Sequence, residues 1–247
     1  RSSKCIKQDI LKKHVIITGS SKGIGRELTL LLLENNFQVY GYARTNSIKH
    51  KHFMFTQVDL SKVGLLDNLV FPKINREDKI YLINNAGEIG VINPIGNKLT
   101  NEIIDEININ AIAPTILCNN VIKTYKNKVK ELNILNISSG AALRPIPSWG
   151  TYCQSKAALD MLTNMIKEEN DEINALSISP GIVDTDMQRK IRSVSSSNFP
   201  LKDKFIEYYT NGELADPLII ARKIFYIMAN LSQFKGNIVS LRDLSIK

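Results

Sequence analysis

The sequence predicts an α/β chain, a doubly wound sheet of about seven parallel strands with helices on both faces. Short runs rich in β-branched and aromatic residues alternate with helix-length segments along the 247 residues. Strands that alternate with helices form a parallel sheet covered on both sides. The runs VII, YLI and NILNI are continuously apolar, as strands buried on both faces are and half-exposed strands are not. No repeat or low-complexity linker interrupts the pattern, so residues 13–247 read as one domain behind an N-terminal extension, 1–12.

The elements follow in order. Strands are expected at HVIIT 14–18, FQVYGYA 37–43, FMFTQV 53–58, KIYLIN 79–84, LNILNIS 132–138, INALSIS 173–179 and GNIVSL 236–241. Helices are expected at about 24–35, 61–71, 100–127, 150–170 and 216–231. Residues 184–211 form the one long irregular segment, and a loop of that length in a compact domain usually serves function, here as a substrate loop.

Composition narrows the function classes. Hydrophobic content of 43% with 23% charged residues is that of an ordinary folded protein. No apolar run approaches the ~20 residues of a membrane span, and the start lacks the apolar segment of a secretory signal. A cytoplasmic protein is expected, although a start at Arg1 rather than Met leaves room for an organelle address upstream. The three cysteines, Cys5, Cys118 and Cys153, are widely spaced and match no metal-ligand pattern; they read as reduced thiols, and no metal site is expected. The formal charge of +8 comes from scattered basic residues without interleaved aromatics, so a solvated surface is expected rather than a nucleic-acid partner.

In an open parallel sheet the ligand sits at the carboxyl ends of the strands. The first strand ends in TGSSKGIGREL, with Gly19, Gly23 and Gly25. A strand that turns through glycine into a helix lets the backbone approach a pyrophosphate, which the helix N-terminus then attracts. The spacing differs from Gly-x-Gly-x-x-Gly, but its place after the first strand makes it a Rossmann-type dinucleotide cradle, including Ser21 and Ile24. An acid at the end of the second strand would bind a ribose 2′-hydroxyl and repel a 2′-phosphate. Arg44 stands there instead, with Lys22 in the glycine turn, and two cations favour a phosphate: NADP(H). The alternative is two solvated surface cations. Asp59, closing the third strand, either accepts from the adenine amino group or caps a helix.

The remaining motifs lie at later strand ends: NNAG 84–87, NISSG 136–140 and SPGIVDTDM 179–187. Tyr152 and Lys156, four apart at the start of a helix, share one face. In isolation such a pair is usually an aromatic and a solvated charge. With Ser139 thirteen residues upstream and the other motifs in order over about 13–241, the sequence resembles the short-chain dehydrogenase/reductase family, most closely its sepiapterin reductase and benzil reductase branch.

The resemblance implies an NADPH-dependent carbonyl reductase. Tyr152 would donate the proton, Lys156 would lower its pKa and bind the nicotinamide ribose, and Ser139 would hold the substrate oxygen. Asn110, or its neighbour Asn108, would anchor a water that feeds protons to the lysine. Asn85, Ala86 and Gly87, with Pro180, Gly181, Ile182 and Thr185, would complete the cofactor site. Trp149, Met187 and Ser240 are the candidate substrate contacts. Ser240 stands where sepiapterin reductases carry an aspartate, with Asp243 three residues on, and this departure favours a diketone or related carbonyl over a pterin. A homodimer through helices 100–127 and 150–170 is implied as well. Two other readings stay open: a 3-oxoacyl-carrier-protein reductase, and a non-catalytic NADP-binding regulatory protein, against which the complete Ser139, Asn110, Tyr152 and Lys156 set argues.

Overall fold

The computed structural model describes residues 13–234 and 236–245; the expected extension 1–12 and Cys5 lie outside them. Seven strands form one sheet in the order β3-β2-β1-β4-β5-β6-β7, every neighbouring pair parallel. They are β1 Lys13–Thr18, β2 Gln38–Ala43, β3 Phe53–Gln57, β4 Lys79–Asn84, β5 Glu131–Ile137, β6 Ile173–Ser179 and β7 Ile238–Ser240. The order runs outward from β1 in both directions, so the β1–β4 junction is a topological switch point, and a crevice opens beyond the carboxyl ends of these strands.

The apolar runs are buried as their composition requires. In β1, β4 and β5 every residue after the first is buried. One side of the sheet packs Val15, Ile17 and Leu135 against the helices α1 (Gly23–Glu34) and α7 (Pro217–Ala229). The other packs Ile16, Leu82 and Ile134 under α3 (Ala113–Tyr125) and α4 (Gly150–Glu169). α7 starts sharply because Asp216 accepts from the Leu218 N–H at 2.7 Å and Pro217 occupies the first helical position. Among the described residues, no helix is long and apolar enough to cross a membrane.

Three expected elements differ. Residues 61–71 form only a 3₁₀ stretch, Val63–Asn68, because the apolar side of this short segment is anchored by Leu66 alone among fully buried residues. The expected helix 100–127 is broken into α2 (Thr100–Ile107), a π turn (Asn108–Ile112) and α3. Pro114 explains the break: it has no N–H to give the Asn110 carbonyl four residues back, and its ring crowds that carbonyl. The segment 184–211 is not irregular. It contains α5 (Asp186–Ser193) and α6 (Lys202–Thr210), folded around a buried cluster in which Phe199 and Ile191 are almost wholly enclosed.

Candidate active site

A cleft of about 770 Å³ opens at the carboxyl ends of β1, β4, β5 and β6, a size usual for cofactor and small-molecule sites. The glycine turn forms its floor. A Cβ on Gly25 would lie 2.2 Å from the Gly19 carbonyl oxygen and 2.3 Å from Asn85 Nδ2, so only glycine lets α1 begin this close to the strand end. Asn85 stitches the turn from the next strand: its amide donates to Thr18 O at 2.9 Å and Gly19 O at 3.3 Å. Thr18 Oγ1 in turn accepts from the Asn85 and Ala86 N–H groups at 3.1 and 3.0 Å. α1 has no acidic residue in its first turn and no side-chain cap, so its N-terminal N–H groups face the cleft with the positive end of the helix dipole. This cradle fits the pyrophosphate of a dinucleotide.

Cations stand at the mouth. Arg44, at the end of β2, is exposed and lines the cleft, as do Lys22 and Asp59. Asp59 Oδ1 accepts from the Ser61 N–H at 3.0 Å, which holds its carboxyl below the usual range with Arg44 and Lys62 assisting. It is therefore a turn cap that also faces the cleft. Lys22 Nζ lies 3.3 Å from Asp186 Oδ2, and Asp186 is also paired with Arg189. Both Lys22 and Asp186 are at least half exposed, and an exposed pair of this kind is worth only ~0–1 kcal/mol. Lys22 can thus exchange Asp186 for a phosphate at little cost. Thr185 packs toward the glycine turn from the same side, its Cγ2 3.3 Å from where a Gly23 Cβ would be.

Deeper in, Ser139, Tyr152 and Lys156 share the cleft wall. β5 delivers Ser139 at its carboxyl end, and the first two turns of α4 present Tyr152 and Lys156. Burial pushes the Tyr152 phenol up to about 12, while the Ser139 hydroxyl beside it acts the other way. Lys156 Nζ donates to Ile137 O at 2.8 Å and lies 5.8 Å from the Tyr152 ring centre. Burial pulls this ammonium down to about 8, against the upward influence of Asp160 one turn on. Desolvation is the dominant influence on the phenol, with Lys156 standing across its ring.

Asn110 lies in the π turn, fully buried. It holds the segment after β4 from both sides, accepting from the Glu88 N–H at 2.8 Å and donating to Glu88 O at 2.7 Å and Ser155 Oγ at 3.2 Å. Gly87 brings Asn110 and Lys156 together, since a Cβ there would be 3.5 Å from Asn110 Oδ1 and 3.2 Å from Lys156 Nζ. Asn108 points elsewhere, donating to Ser61 O.

Of the other expected residues, Gly19, Ser21, Gly23, Ile24, Asn85, Ala86, Gly87, Pro180, Gly181, Thr185 and Met187 line the cleft. Ile182, Trp149 and Ser240 do not. The Ile182 carbonyl instead accepts from the Ala215 N–H. Trp149 is buried in an aromatic cluster, stacked on Phe199 and edge-on to Tyr152 at 5.7 Å, so it buttresses the Tyr152 ring. Ser240 ends β7 opposite Ser179. Sequence reasoning missed Gln188, which lines the cleft with a buried, unpartnered Oε1; its place directly after Met187 was the available signal. It also missed Glu88 and the buried pair Lys98–Glu106, although Glu106 lies one turn before Asn110. Among the described residues no cluster of His, Cys, Asp and Glu could hold a metal ion.

Known proteins resemble this chain in sequence and in fold. The sequence model of the short chain dehydrogenase family matches residues 13–195. The chain is 30% identical over 248 residues to the benzil reductase ((S)-benzoin forming) of Bacillus cereus, an alignment covering 94% of this chain and all of that one. It is 27% identical over 252 residues to the sepiapterin reductase of Xenopus tropicalis, covering 92% and 95%. The solved structure of 4-hydroxyisoleucine dehydrogenase complexed with NADH superposes with a TM-score of 0.76 at 25% identity, covering 92% of this chain and 95% of that one. The chain therefore belongs to the short-chain dehydrogenase family, oxidoreductases that use a nicotinamide cofactor on C=O and CH–OH groups.

Proposed function

We propose that the chain is an NADPH-dependent carbonyl reductase acting on a ketone or diketone, with Tyr152 as proton donor. The observation that carries this reading is that Ser139, Tyr152 and Lys156 line the same cleft as the glycine cradle. When bound, the cofactor supplies hydride to the carbonyl carbon. The protein must then protonate the oxygen. A phenol raised to about 12 is neutral at physiological pH and so holds the proton to be given. An alkoxide is a far stronger base than a phenolate, so the transfer runs downhill once negative charge develops on oxygen. Ser139 donates to that oxygen and orients it. Lys156, charged below about pH 8, stabilises the phenolate left behind and reaches toward the cofactor ribose. Asn110 fixes the Glu88 backbone, and with it the wall facing Lys156.

NADPH preference rests on Arg44 and Lys22, each able to give a 2′-phosphate a charge-assisted contact of roughly 1.5–3 kcal/mol. NADPH should bind at least tenfold tighter than NADH. Arg44→Asp should reverse or abolish the preference, and equal affinities in the unmodified protein would defeat the assignment. A diketone substrate is supported by the likeness to benzil reductases. Assembly as a homodimer and a reducing, cytoplasmic setting belong to the same reading; Cys118 and Cys153 are free thiols. The test is NADPH oxidation followed at 340 nm across benzil, sepiapterin, small diketones and acetoacetyl thioesters. Turnover of benzil is expected, and a protein inert toward every carbonyl in that panel would overturn the reading.

A further inference from the structure

Beside the reducing site lies an ion pair that the chemistry above does not use. Lys98 Nζ and Glu106 Oε2 are 2.7 Å apart, and the two side chains are 2% and 0% exposed. Lys98 also donates to Thr151 Oγ1 at 3.1 Å. The pair therefore joins three segments: the loop after β4, which carries Lys98; α2, which carries Glu106; and the first turn of α4, which carries Thr151. The loop closes directly onto the carboxylate. Gly90 has φ +62°, and a Cβ there would stand 2.2 Å from Glu106 Oε2, so glycine is required both by its left-handed conformation and by the space.

Such a pair is costly. Removing two charges from water costs several kcal/mol per ion, and apolar residues of like volume often hold such a joint equally well or better. Glu106 Oε1 has no partner among the described residues, and burial raises this carboxyl above its ordinary range although Lys98 opposes it. Stability alone is a poor account of it. Its position is more informative. Thr151 immediately precedes Tyr152, and Glu106 lies one helical turn before Asn110. The pair clamps together the two turns that carry the proton donor and the residue holding the facing wall.

We propose that the buried Lys98–Glu106 pair is a positioning device of the reducing site, fixing the first turn of α4, and so Tyr152, against the turn that carries Asn110. This rests on the reading of Tyr152 as proton donor. The Glu106 carboxylate also acts on the phenol directly, raising it together with the adjacent Cys153 thiol. The other groups acting on Tyr152 are the Ser139 hydroxyl and the Cys153 thiol, with Lys156 across the ring; those acting on Glu106 are Lys98, Glu88 and Lys190.

The decisive variant is the double substitution Lys98→Met with Glu106→Gln, which removes both charges and leaves none buried alone. Benzil reduction by NADPH, NADPH affinity, thermal midpoint and the pH profile of the reverse, alcohol-oxidising reaction are measured together, with Glu106→Gln, Glu106→Asp and Tyr152→Phe alongside. Expected for the double variant is a midpoint close to the parent's, unchanged NADPH affinity and a kcat at least tenfold lower. In Glu106→Gln the acidic limb of alcohol oxidation should move to lower pH, because the carboxylate that disfavours the phenolate is gone, and Glu106→Asp should restore it. A double variant with parental kcat and pH profile overturns the proposal. So does one that fails to fold, which would make the pair a structural strut. Loss of activity in Tyr152→Phe beside an unaffected double variant overturns the positioning role alone, whereas an active Tyr152→Phe overturns the proton-donor reading and this inference with it.

Discussion

Tyr152 and Lys156 are both almost fully buried, 5% and 3% exposed, and burial moves them in opposite directions, each toward its neutral form. Removing only the phenol oxygen is the direct test of the donor. Tyr152→Phe should leave folding and NADPH affinity nearly unchanged and lower turnover by ~10²–10⁴, the scale for loss of a positioned acid; more than about a tenth of parental activity remaining would count against the mechanism. Lys156 gives a pH signature. With its ammonium at about 8 in the folded protein and an ordinary value of 10.5, reductive kcat/KM should fall as pH rises through about 8, where the charge is lost. For stability the sign is opposite. Between about pH 8 and 10.5 the unfolded chain binds the proton that the native lysine has given up, so this group's contribution to stability rises with pH across that window. The parent's thermal midpoint should gain on that of Lys156→Met between pH 8 and 10; parallel curves for the two proteins would show that the lysine is not desolvated as described.

At the scale of elements, the π turn at Asn108–Ile112 shows how backbone and site are coupled. Asn110, itself fully buried, makes three hydrogen bonds, the two to Glu88 half-buried and the one to Ser155 buried, and their loss leaves the Glu88 N–H and C=O unpaired. Asn110→Ala should therefore cost on the order of 2–4 kcal/mol of stability, from two orphaned groups at ~1–3 kcal/mol each with partial hydration. Turnover should fall further than NADPH affinity, since the wall facing Lys156 loosens. Chemical denaturation paired with steady-state kinetics checks both, and an unchanged midpoint would mean that Asn110 does not hold this segment. The turn was within reach of the sequence, because the proline of NINAIAP marks where a regular helix must open. The central strands β1, β4 and β5 were legible because a strand buried on both faces must be continuously apolar, whereas the edge strands β3 and β7, which bury no residue, were legible only from their β-branched and aromatic content. The cleft floor was legible for a similar reason: a Cβ at Gly25 has nowhere to go. What the sequence hid depends on contacts between distant segments. The two helices within 184–211 are held by Phe199 and Ile191 in a cluster with Trp149, and α5 has acidic and basic residues at its ends with few apolar ones between. The burial that raises Tyr152 comes from that same cluster, which local spacing does not report.

For the whole molecule, the helices that carry the site also carry several of its exposed apolar residues. On α2 and the π turn these include Ile103, Ile104 and Ile112, and on α4 Met161 and Met165; Ile104 and Met161 are 51% and 59% exposed. Scattered surface apolar residues are ordinary, but these five fall on α2, the π turn and α4, which pack against one another. A two-fold axis beside these helices would bury the same patch on both subunits, and such an isologous contact is the commonest route to a dimer. It would also stiffen the first turn of α4 and the turn bearing Asn110 from outside. We predict that light scattering at micromolar concentration gives a mass twice the 27.8 kDa of one chain. The double substitution Ile104→Glu with Met161→Glu should convert this species to monomer, since charged residues facing their own copies across the axis repel and lose water together. If the dimer braces the site, the monomeric variant keeps its fold and loses turnover more than NADPH affinity. A parent protein that runs as a monomer, or a variant that stays dimeric, would exclude this face as the interface.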